Sequence, residues 1–136
     1  LSLRLESARR TLLTLEEILR EPSGAIVRDA GIQRFEYSFE AVWKLAHAYL
    51  QEHDGSICNS PKSCFREAMR VGLLDASETE LCLKMTDDRN RTTHTYQMAI
   101  AEAVFGRTAG YLTVMQRLAD RIAQRLGSAQ SGSPTG

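Results

Sequence analysis

Apolar positions recur along this chain at steps of three and four residues. Leu1, Leu5, Ala8, Leu12, Leu15 and Leu19 form one such stripe, with Arg, Glu, Ser and Thr between them. That spacing places the apolar groups on one side of a helix. Glu21-Pro22-Ser23-Gly24 is a stop signal. A second stripe follows in Ile32, Phe35, Phe39, Val42, Ala46 and Tyr49, widened by Trp43 and Leu50. It predicts a helix from about Ile26 or Gly31 to Glu52. The loop from Gly55 to Pro61 ends in Ser60-Pro61, an N-cap with proline at the first helical position. A short helix then carries Cys64, Phe65, Ala68 and Met69 on its apolar face and stops near Gly72.

Ser77 with Glu80 reads as a capping box that opens a fourth helix, bearing Leu81, Met85 and Asp88 on one face. Thr92, Thr93 and Thr95 disfavour helix, so this helix is expected to fray between Arg91 and Thr95. The last helix begins near Gln97. Its stripe, Ala101, Val104, Thr108, Tyr111, Met115, Leu118 and Ile122, repeats every seven residues. Gly106 and Gly110 interrupt it at about 1 kcal/mol each against Ala, which predicts a kink or a close helix–helix approach. No stretch alternates with a period of two. The fold expected is all-α, an antiparallel up-and-down four-helix bundle with an additional short helix. One domain, 1–126, is followed by GSAQSGSPTG (127–136), a flexible tail by composition.

Composition narrows this little. A chain of 136 residues fits one domain, and roughly two-thirds of its unfolded surface can be buried. Seventeen basic residues balance seventeen acidic ones, so no whole-molecule basic field exists to attract nucleic acid. Lys44, Lys62 and Lys84 are the only lysines, and Arg dominates the cations. Arg suits bidentate contacts to phosphate or carboxylate, though a GC-rich genome explains the bias as well. Cys58, Cys64 and Cys82 are odd in number and match no common zinc spacing, so no metal site is expected. Reduced thiols in a cytoplasm are the natural expectation. No signal peptide and no apolar run of membrane-spanning length is visible. The chain starts at Leu1 without Met, and a few preceding residues are expected.

The densest polar chemistry is DDRNRTTHTY, Asp87 to Tyr96. Arg89 and His94 form the pattern R-x4-H. On a continuous helix they lie about 500° apart in rotation, which is not one face. They converge only if the helix ends between them. So placed, Arg89 offers a permanent cation to a phosphoryl oxygen and His94 a proton donor or acceptor near neutral pH. With the 2′-hydroxyl of RNA as nucleophile, such a pair needs no metal and no cofactor. The plainer alternative stays open: Arg89 pairs with Glu40 or Glu36, and His94 caps a helix. Phe35, Phe39 and Trp43 form a ridge expected in the core or at a dimer interface. Tyr37 lies off that ridge and can line a groove. Glu40 either pairs with Lys44 across one turn or orients Arg89. His47 and His53 are expected at the solvent or capping. Asp87 and Asp88 point about 100° apart and do not make a metal pair.

Three blocks occur in order: FEYSFEAVWK (Phe35 to Lys44), SPKSCFREA with GLL (Ser60 to Ala68, Gly72 to Leu74), and MTDDRNRTTHTY (Met85 to Tyr96). In them the chain resembles the nucleotidyltransferase substrate-binding family of the HEPN superfamily, over roughly Leu5 to Leu126. The resemblance implies a helical homodimer associated with a minimal nucleotidyltransferase encoded beside it, with RNA or a nucleotide in the dimer groove. In related HepT-type toxins, R-x4-H-x-Y serves metal-independent RNA cleavage, and the nucleotidyltransferase silences the toxin by adding AMP to the tyrosine. By that resemblance Arg89 and His94 match the catalytic pair, Asn90 the polar residue after Arg, and Tyr96 the modified and nucleotide-contacting tyrosine. Arg91, Tyr37 and Glu40 join them as binding candidates. Arg91 departs from an often apolar position, and Gly106 and Gly110 are unusual. The expectation placed first is a partner or substrate-binding subunit of toxin–antitoxin type. The alternative is a ribonuclease toxin.

Overall fold

The computed structural model describes residues 1–94 and 97–132, with side chains through Gly127. Its helices are α1 (Ser2–Leu19), α2 (Ala25–Asp54), α3 (Pro61–Arg70), α4 (Ala76–His94) and α5 (Met98–Gly132), and no strand occurs among the described residues. Helices α1, α2, α4 and α5 make the antiparallel bundle, and α3 is the additional short helix. Helix α2 packs against all four others. No helix among the described residues is long and apolar enough to cross a membrane.

The stripes go where their periodicity sends them. Ala8, Leu12 and Leu15 of α1 are buried, as are Phe35, Phe39, Val42, Ala46 and Tyr49 of α2. Every member of the seven-residue repeat in α5, Ala101 to Ile122, is buried, Thr108 included. The Thr108 hydroxyl donates to the Val104 carbonyl at 2.9 Å, so its burial leaves no polar atom unpaired. Phe35 stacks on Tyr111 with centroids 5.6 Å apart, and Phe39 meets Phe65 of α3 at 6.1 Å. Burying side chains of this size contributes about 1.5–3 kcal/mol each. The aromatic ridge divides: Phe35 and Phe39 are core, whereas Trp43 is half-buried at its edge.

Several boundaries differ from the sequence expectation. Helix α2 begins at Ala25, one residue before the earlier of the two expected starts, Ile26, so Gly31 lies inside it. Gly31 makes room for a side chain: a Cβ there would stand 2.6 Å from the Phe105 ring of α5. Gly106 and Gly110 face open space, with nothing within 4 Å of a built Cβ, so they serve no close approach. Helix α3 is capped as expected. The Ser60 hydroxyl accepts from the Ser63 amide at 3.3 Å, and the Ser63 hydroxyl accepts from the Ser60 amide at 3.1 Å. The box opening α4 is two residues earlier than Ser77. Asp75 Oδ1 accepts from the Glu78 amide at 2.7 Å, and a Glu78 oxygen accepts from the Asp75 amide at 3.0 Å. Arg121 of α5 also donates to Glu78, at 2.7 Å, and that tertiary bond selects the earlier register. Gly55 and Gly72 take positive φ (69° and 82°) just past α2 and α3, where a side chain would be strained.

Thr92 and Thr93 do not fray α4, which runs through His94, and Thr95 lies outside the described residues. Helix α5 likewise continues to Gly132, past the point where a tail was expected. Residues 133–136 lie outside the described residues. The thiols also depart from expectation: Cys58 and Cys64 are joined as a disulfide rather than reduced, and Cys82 is free and buried. The loop after α2 folds back onto the first turn of α3, bringing the two Cα atoms to 5.1 Å.

Candidate functional site

The described part of the polar block, 87–94, is the last two turns of α4, held from both sides. On one side stands α2. Arg89 donates from Nη2 to Glu40 Oε2 at 2.6 Å, and its guanidinium lies 5.3 Å from the centroid of the Phe39 ring. Glu40 accepts from the Trp43 indole at 3.2 Å through its other oxygen, which also faces the Lys44 ammonium at 3.4 Å. One turn earlier on α2, Glu36 Oε2 takes the hydroxyls of Thr92 at 2.8 Å and Thr93 at 3.0 Å. Both hydroxyls also lie within hydrogen-bond reach of the Arg89 carbonyl. This explains the unbroken helix: the threonine side chains that would compete for backbone groups are occupied by a neighbouring helix.

On the other side stands α5. Asp88 is fully buried. Arg107 grips its carboxylate with two bonds, Nε to Oδ2 at 2.7 Å and Nη2 to Oδ1 at 2.9 Å. The Tyr111 hydroxyl donates to it as well, and Arg91 reaches it at 3.3 Å. Burial pushes this carboxyl up, but the bonds from Arg107 and Tyr111 outweigh burial and hold it below the ordinary value. Burial, with the Asp88 bond, pushes the Tyr111 phenol up, and the Arg107 guanidinium is raised by its bond to Asp88. Next to it, Asp87 points outward and pairs with Lys62 of α3 at 2.7 Å.

Between these anchors an exposed edge remains. Asn90, Arg91 and His94 are exposed, while Arg89 keeps about a quarter of its side chain in solvent (28%). Because α4 is continuous, Arg89 and His94 stand about 140° apart around its axis. Among the described residues no hydrogen bond joins them, so the turn that would bring them together within one chain does not form. Tyr37 is exposed, accepts a bond from Gln33 at 3.0 Å and lines a groove between α1 and α2 with Leu3, Arg4, Glu40 and Lys44. Tyr96 lies outside the described residues.

Arg107 and Tyr111 are the members that sequence reasoning missed as anchors of this edge, whereas Glu36, expected as an alternative partner of Arg89, holds Thr92 and Thr93 instead. Tyr111 read only as a stripe position. Arg107 lies nineteen residues beyond Asp88, with no spacing rule to connect them.

A family model described as nucleotidyltransferase substrate binding protein like matches residues 3–124. The chain belongs to this family. Among solved structures, a Thermus thermophilus protein shares 45% identity, with 85% of this chain and 98% of that one covered and a TM-score of 0.80. A Haemophilus influenzae protein, described as having the fold of a substrate binding domain of a nucleotidyltransferase, shares 23% identity over 88% and 98% of the two chains, TM-score 0.73. A Shewanella oneidensis protein, described as a tri-AMPylated HEPN toxin in complex with an MNT antitoxin, shares 18% over 89% and 94%, TM-score 0.74. At those last two identities the likeness is one of fold. A search of curated protein sequences finds no match.

Proposed function

We propose that this chain is the helical substrate-binding partner of a minimal nucleotidyltransferase, acting in a two-component pair of toxin–antitoxin type. The observation that carries this reading is the family match over residues 3–124, together with the intact D-R-N-x-T-x-H block on an exposed, doubly anchored helix end. The fold shared with the Haemophilus substrate-binding domain and with the Shewanella toxin–antitoxin complex supports it. In this reading Arg89 and His94 address phosphate, Asn90 and Arg91 flank them, and Tyr37 and Glu40 form the α2 wall. Tyr96 accepts AMP from the nucleotidyltransferase. The chain works as a homodimer with RNA or a nucleotide in the groove between copies. The 140° between Arg89 and His94 supports a groove completed by a second copy, since one chain does not turn both groups toward one phosphate.

The test is reconstitution with the nucleotidyltransferase encoded beside the chain. Co-elution of the two proteins, and a mass gain of AMP with ATP and Mg2+ that Tyr96→Phe abolishes, is the expected result. Failure to associate at micromolar concentrations overturns the partnership. Single-stranded RNA or tRNA incubated with the unmodified protein in EDTA, beside Arg89→Ala and His94→Ala, separates binding from cleavage. Cleavage by wild type and by neither variant would make this chain a ribonuclease and its partner the regulator.

A further inference from the structure

Two turns along α2 from Glu40, a second group of reactive side chains has no part in the proposed function. His47 projects from α2, Cys58 lies in the loop between α2 and α3, and Cys64 sits in the first turn of α3. Both cysteines are buried, and His47 is half-buried. The imidazole Nδ1 stands 3.7 Å from Cys58 Sγ and 3.8 Å from Cys64 Sγ. One donor atom from each residue falls within 4.8 Å of the others.

We propose that, once the disulfide is reduced, His47, Cys58 and Cys64 form a three-ligand site for a thiophilic divalent cation, Zn2+ in the first place. Tetrahedral zinc with sulfur at about 2.3 Å and nitrogen at about 2.0–2.1 Å needs N···S separations of about 3.6 Å and an S···S separation of about 3.8 Å. His47 Nδ1 already stands close to that distance from both sulfurs. The sulfurs have to part and His47 has to give up its bond to the Cys58 carbonyl, and Cys58 lies in a loop of Gly, Ser, Ile and Asn rather than in a helix. His47 Nδ1 also lies 2.8 Å from the Cys58 carbonyl, to which it donates. That bond accounts for the orientation of the ring. It does not account for both sulfurs of the disulfide standing at nearly the same distance from that nitrogen.

The balance is simple. A dithiol reductant gives two electrons and two protons to the Cys58–Cys64 bond and leaves as its cyclic disulfide. Cation binding then releases both thiol protons, and the imidazole proton moves from Nδ1 to Nε2, freeing the lone pair that ligates. Two thiolates against a divalent cation leave no net charge, which a buried site requires. Water takes the fourth position. Cys82 is no competitor: it is buried on α4 and brings no ligand atom into this group. Sequence spacing hides the site, since the histidine lies eleven residues before Cys58 on a different element.

The experiment uses the full chain, reduced with a dithiol, freed of it without air and titrated with Co2+. Expected are a 1:1 endpoint, a sulfur-to-cobalt charge-transfer band, tetrahedral visible bands, and loss of all of them on adding Zn2+. Cys58→Ser and Cys64→Ser should each lose the bands, His47→Ala should lose tetrahedral intensity, and Cys82→Ala should keep everything. Circular dichroism follows the fold throughout. If the reduced chain loses helix and Co2+ restores it with the bands, the site stands. The proposal is overturned if reduced, folded wild type gives no charge-transfer band, if Co2+ fails to restore a chain unfolded by reduction, or if the bands survive in the Cys58→Ser/Cys64→Ser double variant.

Discussion

At Asp88 a carboxylate without solvent contact accepts two bonds from Arg107 and one from Tyr111. Asp88→Asn removes the charge and leaves a half-buried guanidinium poorly paired. Breaking a fully buried pair costs about 3–5 kcal/mol. Arg107 keeps a third of its side chain in water (33%), so about 2–3 kcal/mol is expected here, read as a lower urea midpoint. Arg89 and Glu40 are both partly exposed, so Glu40→Gln should cost only about 0.5–1 kcal/mol in the same assay. The acid response follows from the same groups. Asp88 and Glu78 titrate below their ordinary values of 3.8 and 4.5, Glu78 chiefly through its bond from Arg121. The folded state therefore binds protons less readily than the unfolded chain. Stability from both groups is complete above about pH 5 and drains away as pH falls through 4 toward the lower folded-state values. Asp88→Asn should flatten that limb of the urea midpoint plotted against pH; an unchanged slope would show that Asp88 is not its source.

At the scale of the helix, boundaries follow the partners that side chains find. Asp75 and Glu78 close the box at the start of α4, while Ser77 and Glu80 fit the same pattern and do not. Asp75→Ala should therefore lower stability by about 1 kcal/mol and Ser77→Ala should stay within about 0.5 kcal/mol. Thermal melts that rank the two the other way would place the box at Ser77. Gly106 and Gly110 lie inside α5 with open space where a Cβ would go. Each Gly→Ala change should stabilise by up to about 1 kcal/mol, visible as a higher Tm. Gly31→Ala should do the opposite unless Phe105 moves, because the new methyl meets that ring at 2.6 Å. The end of α4 teaches the same lesson: Thr92 and Thr93 are poor helix formers in isolation and ordinary ones once Glu36 holds their hydroxyls.

For the whole molecule, the sequence by itself determined the bundle, because a stripe with helical period states which face must leave water. The α5 repeat from Ala101 to Ile122 is buried to the last member for that reason. The polar block at Asp87 to Tyr96 and the Ser60-Pro61 cap were legible too, since both are local in the chain. Tertiary structure alone decided the pairings. Arg89 meets Glu40 across 49 residues, Arg121 meets Glu78 across 43, and Asp88 meets Arg107 across 19. Charged side chains are long and their partners many, so spacing fixes no one choice; packing two helices at one distance and rotation does. The same packing kept α4 helical through His94, which separated Arg89 from His94, and folded a loop so that Cys58 meets Cys64 beside His47. Periodicity is a property of one segment, whereas convergence is a property of several. Only the folded chain brings several segments to one point.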